Sequence, residues 1–139
     1  MALNVLNYGA YEEKFWETNF LEQFGNYKRQ TTFYSDLSLA EWTSGIDGIK
    51  DTFKKVMKSW GKNLKYITEF VMCLNHKAWE FADKDFLSRQ NRLLWVTTEQ
   101  QKDELACLYT ELYEQAYAEV ENTFKDDSES LSYFYDVLD

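Results

Sequence analysis

Apolar residues recur at every third or fourth position along most of the chain, a period that predicts amphipathic α-helices. The pattern is most regular over residues 46–60 and 64–81. The apolar residues that form one face of each predicted helix are Ile46, Ile49, Phe53, Val56, Met57 and Trp60 in the first segment and Leu64, Ile67, Val71, Leu74, Ala78 and Phe81 in the second. Gly61 is placed to end the first helix, and Asn63 is placed to cap the second. Because the connection is so short, we expect an antiparallel helix hairpin in the middle of the chain.

Two further helices are predicted, one on each side of this pair. Residues 10–24 carry a broad apolar face that stops at Gly25. Residues 98–124 begin with Thr98 and Gln101, a spacing typical of a capping box. The apolar seam of this helix consists of Leu105, Leu108, Leu112, Ala116 and Val120. We therefore expect a long helix that ends near Phe124.

Three segments lack a clear helical period. Residues 26–34 are polar, and their Thr-Thr-Phe-Tyr stretch favours a short β-like segment. Ser38 and Glu41 resemble a capping box, which predicts a short helix over residues 39–43 before a turn at Ser44 and Gly45. Residues 86–97 fit either a helix or a partly ordered loop.

The amino-acid composition also favours an all-α fold. The chain has five glycines and no proline, so few residues interrupt its helices. Its 139 residues match the usual size of one domain. Residues 125–139 are acidic but too aromatic for a freely solvated terminus, so we expect them to dock on the domain or on a partner. The predicted fold is a single all-α domain over residues 1–139, a small bundle of four to five helices with the central hairpin and a docked aromatic C-terminal segment.

The formal charge of −9 disfavours general binding to nucleic acid or to an anionic membrane. No apolar run approaches the roughly 18 residues of a membrane span, and the N-terminus lacks the basic start of a signal peptide. Cys73 and Cys107 are the only cysteines, without the dense spacing of a disulfide scaffold. These features predict a protein of the cytoplasm with reduced thiols.

Residues that carry catalysis or hold metals are sparse. His76 is the only histidine, which excludes any mechanism that needs two imidazoles from one chain. Cys73 lies three residues before His76, which places the two near each other on a helix, but Cys73 has no visible electropositive activator, so a buried thiol is a commoner outcome than a nucleophile. The chain also lacks the glycine-rich phosphate-binding motifs and the paired cysteines of zinc sites. We therefore predict no enzyme activity, no cofactor and no metal.

Charge is distributed unevenly along the chain. Residues 46–66 contain six lysines against two aspartates. Four of these lysines form what we call the lysine face: Lys50, Lys54, Lys58 and Lys62. Residues 97–139 contain twelve acidic residues against two lysines. Three interpretations are open for the acidic half: pairing with the lysine face within the chain, self-association of copies, or presentation of a negative surface to a basic groove of another protein.

Four blocks of the sequence resemble a family of small uncharacterised all-α proteins encoded by phages and mobile elements of gut bacteria. The blocks are IKDTFKKVMKSW (49–60), NLKYITEFVMCLNHKAWEF (63–81), LYTELYEQAYAEVENTF (108–124) and LSYFYDVLD (131–139). They contain no catalytic signature, so no functional residues can be carried over. The resemblance implies a bacterial host cell. It also favours an inhibitor, because small acidic phage proteins often bind and block a host protein such as a defence nuclease.

These features predict a non-enzymatic protein-binding module that engages a basic surface of another protein and inhibits a host defence protein. Interface anchors are often aromatic, and charge sets their orientation. The predicted partner-binding residues are Glu111, Glu114, Glu121, Asp126, Asp127, Tyr133, Phe134 and Tyr135. Two alternatives are a nucleic-acid accessory protein that uses the lysine face and a self-assembling structural protein.

Overall fold

A computed structural model describes residues 28–88 and 96–138 of the chain. Within these two ranges there are four α-helices and no strands: α1 (Lys28–Ser59), α2 (Leu64–Ala82), α3 (Glu99–Thr123) and α4 (Ser128–Leu138). This architecture agrees with the predicted all-α class. The helix predicted over residues 10–24 lies outside the described residues.

The central element of the fold is α2. Every residue from Ile67 to Ala78 is buried, so the helix is covered on all sides and not only along one stripe. Asn63 caps it as predicted, because the Asn63 side chain accepts a hydrogen bond of 3.0 Å from the Tyr66 backbone N–H. Gly61 lies in the turn between α1 and α2 with φ of +58°, a left-handed conformation that glycine adopts readily.

The prediction of an extended segment over residues 26–34 is wrong. The chain is helical from Lys28, and Phe33 and Leu37, one turn apart, are both buried in the core. The ring of Phe33 packs edge-on against Phe70 of α2, with 5.1 Å between the ring centroids. Packing of this kind outweighs the β-preference of the local sequence, because most helical stability in proteins comes from tertiary contacts.

The predicted capping box at Ser38 and Glu41 is also wrong. Both residues lie inside α1, and both side chains contact Lys77 of α2 instead. The break predicted at Gly45 is present, since Gly45 has φ of +62° and ψ of −144° and joins two helical halves of α1 at a kink. Glycine alone adopts this conformation without strain. The short helix predicted over residues 39–43 is therefore part of a longer one.

The long helix α3 packs mainly against α2 and agrees with its prediction. All five seam residues are buried, and the helix ends at Thr123, directly before Phe124. The rings of Phe81 and Tyr109 stack with 5.8 Å between centroids. The ammonium of buried Lys102 donates to the Phe81 backbone carbonyl over 3.0 Å, which satisfies an acceptor at the C-terminal end of α2.

The capping box at the start of α3 is confirmed. Thr98 Oγ1 accepts a hydrogen bond of 3.2 Å from the Gln101 backbone N–H, and Gln101 Oε1 accepts one of 3.1 Å from the Thr98 N–H. We expect Thr98→Ala to lower the free energy of unfolding by about 1 kcal/mol, because the Gln101 backbone N–H loses its acceptor, Thr98 Oγ1. Urea unfolding at 25 °C measures this change. Thr98→Ser retains the hydroxyl and is the control, and an equal loss in both variants would contradict the capping role.

The chain after α2 and the C-terminal helix α4 complete the described structure. Residues 84–88 form turns, whereas most of the segment 86–97, predicted as helix or loop, lies outside the described residues. On α4, Phe134 and Leu138 are buried, and the Phe134 ring lies 5.0 Å from that of Tyr117 on α3. Only part of this aromatic segment is therefore accessible to a partner.

Candidate functional site

Exposed carboxylates lie on α3 and in the turn that follows it. Glu111 and Glu114 are exposed on α3, and Asp126 and Asp127 are exposed in the turn between the two helices. We use the name acidic surface for the following set of residues: Glu111, Glu114, Glu121, Asp126, Asp127, Tyr133 and Tyr135. Four of its carboxylates thus face solvent, where long-range attraction to a basic partner acts.

Tyr135 and Glu121 connect α4 to α3 within this surface. The Tyr135 hydroxyl donates to Glu121 Oε2 over 2.6 Å. This bond to a carboxylate is the main reason that the pKa of Tyr135 is raised to about 12, and the phenol stays protonated at neutral pH. This hydrogen bond therefore links α4 to α3 within the acidic surface.

Asp127 has a local structural role as well as an exposed charge. Its carboxylate accepts hydrogen bonds from the Ser130 backbone N–H at 3.1 Å and from the Ser130 hydroxyl at 2.7 Å. These bonds lower the pKa of Asp127, and a negative charge directly before α4 also interacts favourably with the helix dipole. Replacing Asp127 would therefore perturb α4 along with the surface.

The inclusion of Phe134 among the partner-binding residues needs correction. Its side chain is 0 % exposed and packs on Tyr117, so it belongs to the core. Tyr133, one position earlier on α4, is 38 % exposed. Helical geometry turns consecutive side chains by about 100°, which explains why neighbours in the sequence have opposite environments. Of the two residues, only Tyr133 is accessible to a partner.

The lysine face is exposed throughout. Lys50, Lys54 and Lys58 lie on the second half of α1, and Lys62 lies in the turn that follows. Exposure is expected both for an ordinary solvated helix face and for a phosphate-binding face. It therefore does not by itself favour nucleic-acid binding.

A buried polar cluster joins α1, α2 and α3. The Lys77 ammonium lies 3.0 Å from Glu41 Oε2 and 2.8 Å from the Ser38 hydroxyl, and its side chain is only 1 % exposed. The Tyr109 hydroxyl also donates to the Glu41 carboxylate. The ring of Tyr34 covers the ammonium, with Nζ 4.1 Å from the ring centroid. Such a network fixes the packing of three helices, because Lys77, Glu41 and Tyr109 are buried and lack water as an alternative partner.

Burial dominates the electrostatics of this cluster. It raises the pKa of Glu41 even though Lys77 opposes the shift. It also raises the pKa of Tyr109, together with the nearby Glu41 charge, so the phenol keeps its proton and donates it in the hydrogen bond to Glu41. Ion pairs in such surroundings stabilise only while both partners are present.

A small cleft opens beside this cluster. Its volume is about 140 Å³, and its lining consists of Tyr34, Ser38, Glu41, Trp42, Lys77, Glu80, Phe81 and Phe86. Glu80 accepts a hydrogen bond from the Tyr34 hydroxyl, and its side chain is 22 % exposed. Cofactors and drug-sized ligands usually occupy roughly 300–1,000 Å³. The cleft therefore matches a single side chain in size and not a cofactor.

The most exposed large apolar side chains of the described chain lie on α1 and were not predicted as functional. Leu39 is 62 % exposed and Trp42 is 50 % exposed, and the two share a helix face at a spacing of three residues. Trp42 also lines the cleft. The signal was present in the sequence, since a helix that buries Phe33 and Leu37 turns Leu39 and Trp42 towards solvent. Prediction of an extended segment over residues 26–34 obscured it.

His76 and Cys73 are buried on α2, as expected for structural side chains. Burial lowers the pKa of His76 to about 3, so the imidazole is neutral at pH 7. Burial raises the pKa of the Cys73 thiol, which keeps it protonated. At neutral pH the Cys73 and His76 pair thus supplies neither a thiolate nor an imidazolium.

Three further findings bear on function. In ranges 28–88 and 96–138, no group of three or more His, Cys, Asp or Glu side chains is arranged to hold a metal ion. None of the four helices combines the length and apolarity needed to cross a membrane. Comparison of the chain with protein-family models, with curated proteins and with solved structures gave no match. Function therefore rests on the chemistry of the described residues.

Proposed function

We propose that the protein is a non-enzymatic binding module whose acidic surface engages a basic surface of another protein. The observation that carries this proposal is the exposure of Glu111, Glu114 and Asp126 in a region where twelve acidic residues oppose two lysines. Carboxylates at this density attract a basic partner over long range and set its orientation. Tyr133, exposed on α4, supplies an aromatic contact.

The proposed partner is a host protein in the cytoplasm of a bacterial cell. The resemblance of four helical blocks to phage and mobile-element proteins supports this assignment. An acidic protein that covers a basic groove blocks nucleic acid, because both ligands need the same positive charges. The proposed activity is thus inhibition of a host defence protein, with the central hairpin and the docked C-terminal segment as the scaffold.

Replacing both Glu114 and Asp126 by lysine is expected to weaken partner binding at least about tenfold, because like charges would then face the basic partner. Both side chains are exposed, so the fold should be retained. Asp126 is preferable to Asp127, whose carboxylate bonds to Ser130 at the start of α4. Titration calorimetry measures the affinity, with the partner purified after capture by the wild-type chain from a bacterial lysate.

The matched control reverses two exposed charges elsewhere. Asp47 and Asp51 are exposed on α1, and the Asp47→Lys/Asp51→Lys variant changes the net charge by the same amount. It should bind the partner within about twofold of the wild-type affinity. Equal losses in the two variants would mean that net charge alone matters, and an unchanged affinity in the Glu114 and Asp126 variant would contradict the proposed surface.

The lysine face supports a second candidate function, binding to nucleic acid. The supporting observation is the local charge excess, since residues 46–66 contain six lysines against two aspartates and the four lysines of the lysine face are exposed. Treating the lysate with nuclease separates the two functions. A partner retained after this treatment binds the protein directly, whereas a partner that was bridged by nucleic acid is lost.

A further inference from the structure

The cleft beside the buried cluster presents negative charge to solvent. Two carboxylates, Glu41 and Glu80, line it together with one ammonium, Lys77. Lys77 is 1 % exposed and contacts the Ser38 hydroxyl, the Glu41 carboxylate and the Tyr34 ring. Its ammonium also lies 3.9 Å from Glu80 Oε2, the edge of a loose ion pair, whereas Glu41 Oε2 lies 3.0 Å away. Glu41 is also buried, at 3 % exposure, so neither Lys77 nor Glu41 is open to an incoming ligand. Glu80, 22 % exposed, is the charged group that an incoming ligand meets first.

Aromatic side chains also line this cleft. Trp42 is half exposed at the cleft, and Phe86 and Tyr34 also line it. Cations bind over aromatic faces, and the flat guanidinium of arginine also stacks on them. Leu39, three residues before Trp42 on the same face of α1, adds an exposed apolar contact.

We propose that this cleft receives an arginine side chain of a protein partner. The guanidinium pairs with Glu80 and stacks on Trp42, while a neighbouring apolar residue of the partner packs on Leu39. The cleft volume of about 140 Å³ suits one side chain. The proposed site lies on α1 and α2, apart from the acidic surface on α3 and α4, so either assignment can fail without the other.

The test uses the full chain labelled with ¹⁵N and the probe N-acetyl-L-arginine amide. N-acetyl-L-citrulline amide is the matched control, because it keeps the shape of the side chain without its charge. We expect the arginine probe alone to cause saturable shifts in the backbone amide signals of Leu39 and Thr43 and in the Trp42 indole signal. Glu80→Gln should weaken this binding at least about tenfold. Glu104→Gln, at an exposed position on α3, should leave it unchanged.

A second variant keeps the test decisive if Glu80→Gln perturbs folding. Trp42→Ala changes an exposed side chain, so it should fold and should lose the shifts at Leu39 and Thr43. Three outcomes would each overturn the proposal. They are equal shifts with citrulline amide, saturable shifts with inorganic phosphate in place of the cation, and full arginine binding in the Trp42→Ala variant.

Discussion

Replacing Lys77 by methionine is expected to lower the free energy of unfolding by about 3–5 kcal/mol, the largest effect that the structure predicts for a single substitution. The change leaves the Glu41 carboxylate buried at 3 % exposure without its ammonium, which lies 3.0 Å away in the native protein. The Tyr109 hydroxyl still donates to Glu41 but carries no charge to offset it. Urea unfolding at pH 7 measures the loss, which is large against the roughly 5–15 kcal/mol that stabilises a typical domain.

Two controls separate loss of the ion pair from loss of packing. The double variant Lys77→Met/Glu41→Gln removes the uncompensated charge and should be more stable than Lys77→Met alone.

The second control is the pH dependence of this loss of stability. Loss of Lys77 raises the pKa of Glu41 further, and a carboxyl with a raised native pKa contributes stability at low pH that is lost as pH rises through that pKa. The difference in free energy of unfolding between the wild type and Lys77→Met should therefore become smaller as pH falls towards 4.5, the ordinary pKa of the Glu41 carboxyl. A double variant no more stable than the single one would contradict this account.

Acidification from pH 7 to pH 5 is expected to remove about 2 kcal/mol of stability through His76 alone. Burial lowers the pKa of this imidazole from 6.5 to about 3. Between these values the unfolded chain binds a proton that the native protein does not, so stability is present above pH 6.5 and falls by about 1.4 kcal/mol per pH unit below it. Urea unfolding at several pH values measures how the free energy of unfolding changes with pH.

His76→Phe is the matched variant, because it keeps a ring of similar shape and cannot titrate. His76 is the only histidine of the chain. The difference in free energy of unfolding between the wild type and the variant therefore isolates the contribution of this one imidazole. The free energy of unfolding of the wild type minus that of the variant should fall by about 2 kcal/mol between pH 7 and pH 5. Parallel curves would mean that His76 has the same pKa in the native and unfolded states, contrary to the lowering by burial.

The regular helices could be predicted from the sequence because their signals are local. The seam of α3 repeats every three to four residues, and Thr98, Gln101 and Asn63 cap helices through bonds to residues three positions away. The kink at Gly45 was also visible, because this backbone conformation requires glycine. Short-range chemistry alone specifies these features.

The first half of α1 and its buried cluster depend on distant contacts and could not be predicted in this way. Glu41 and Lys77 are 36 residues apart, and Glu41 and Tyr109 are 68 residues apart. No local spacing marks such pairs, so Glu41 resembled a capping residue. Phe134 was assigned to the surface for a related reason, since its burial depends on its contact with Tyr117 of α3. The cleft beside Trp42 is lined by residues of both α1 and α2, so no local pattern in the sequence indicates it.

The most direct test of the proposed function compares three versions of the chain as baits in a nuclease-treated bacterial lysate. The baits are the wild type, the Glu114→Lys/Asp126→Lys variant and the Asp47→Lys/Asp51→Lys control, and quantitative mass spectrometry identifies the retained proteins. We predict that the wild type and the control retain the same basic protein at near-stoichiometric amounts and that the acidic-surface variant loses it. Equal retention by all three baits, or no specific protein on any of them, would contradict a binding module that acts through its acidic surface.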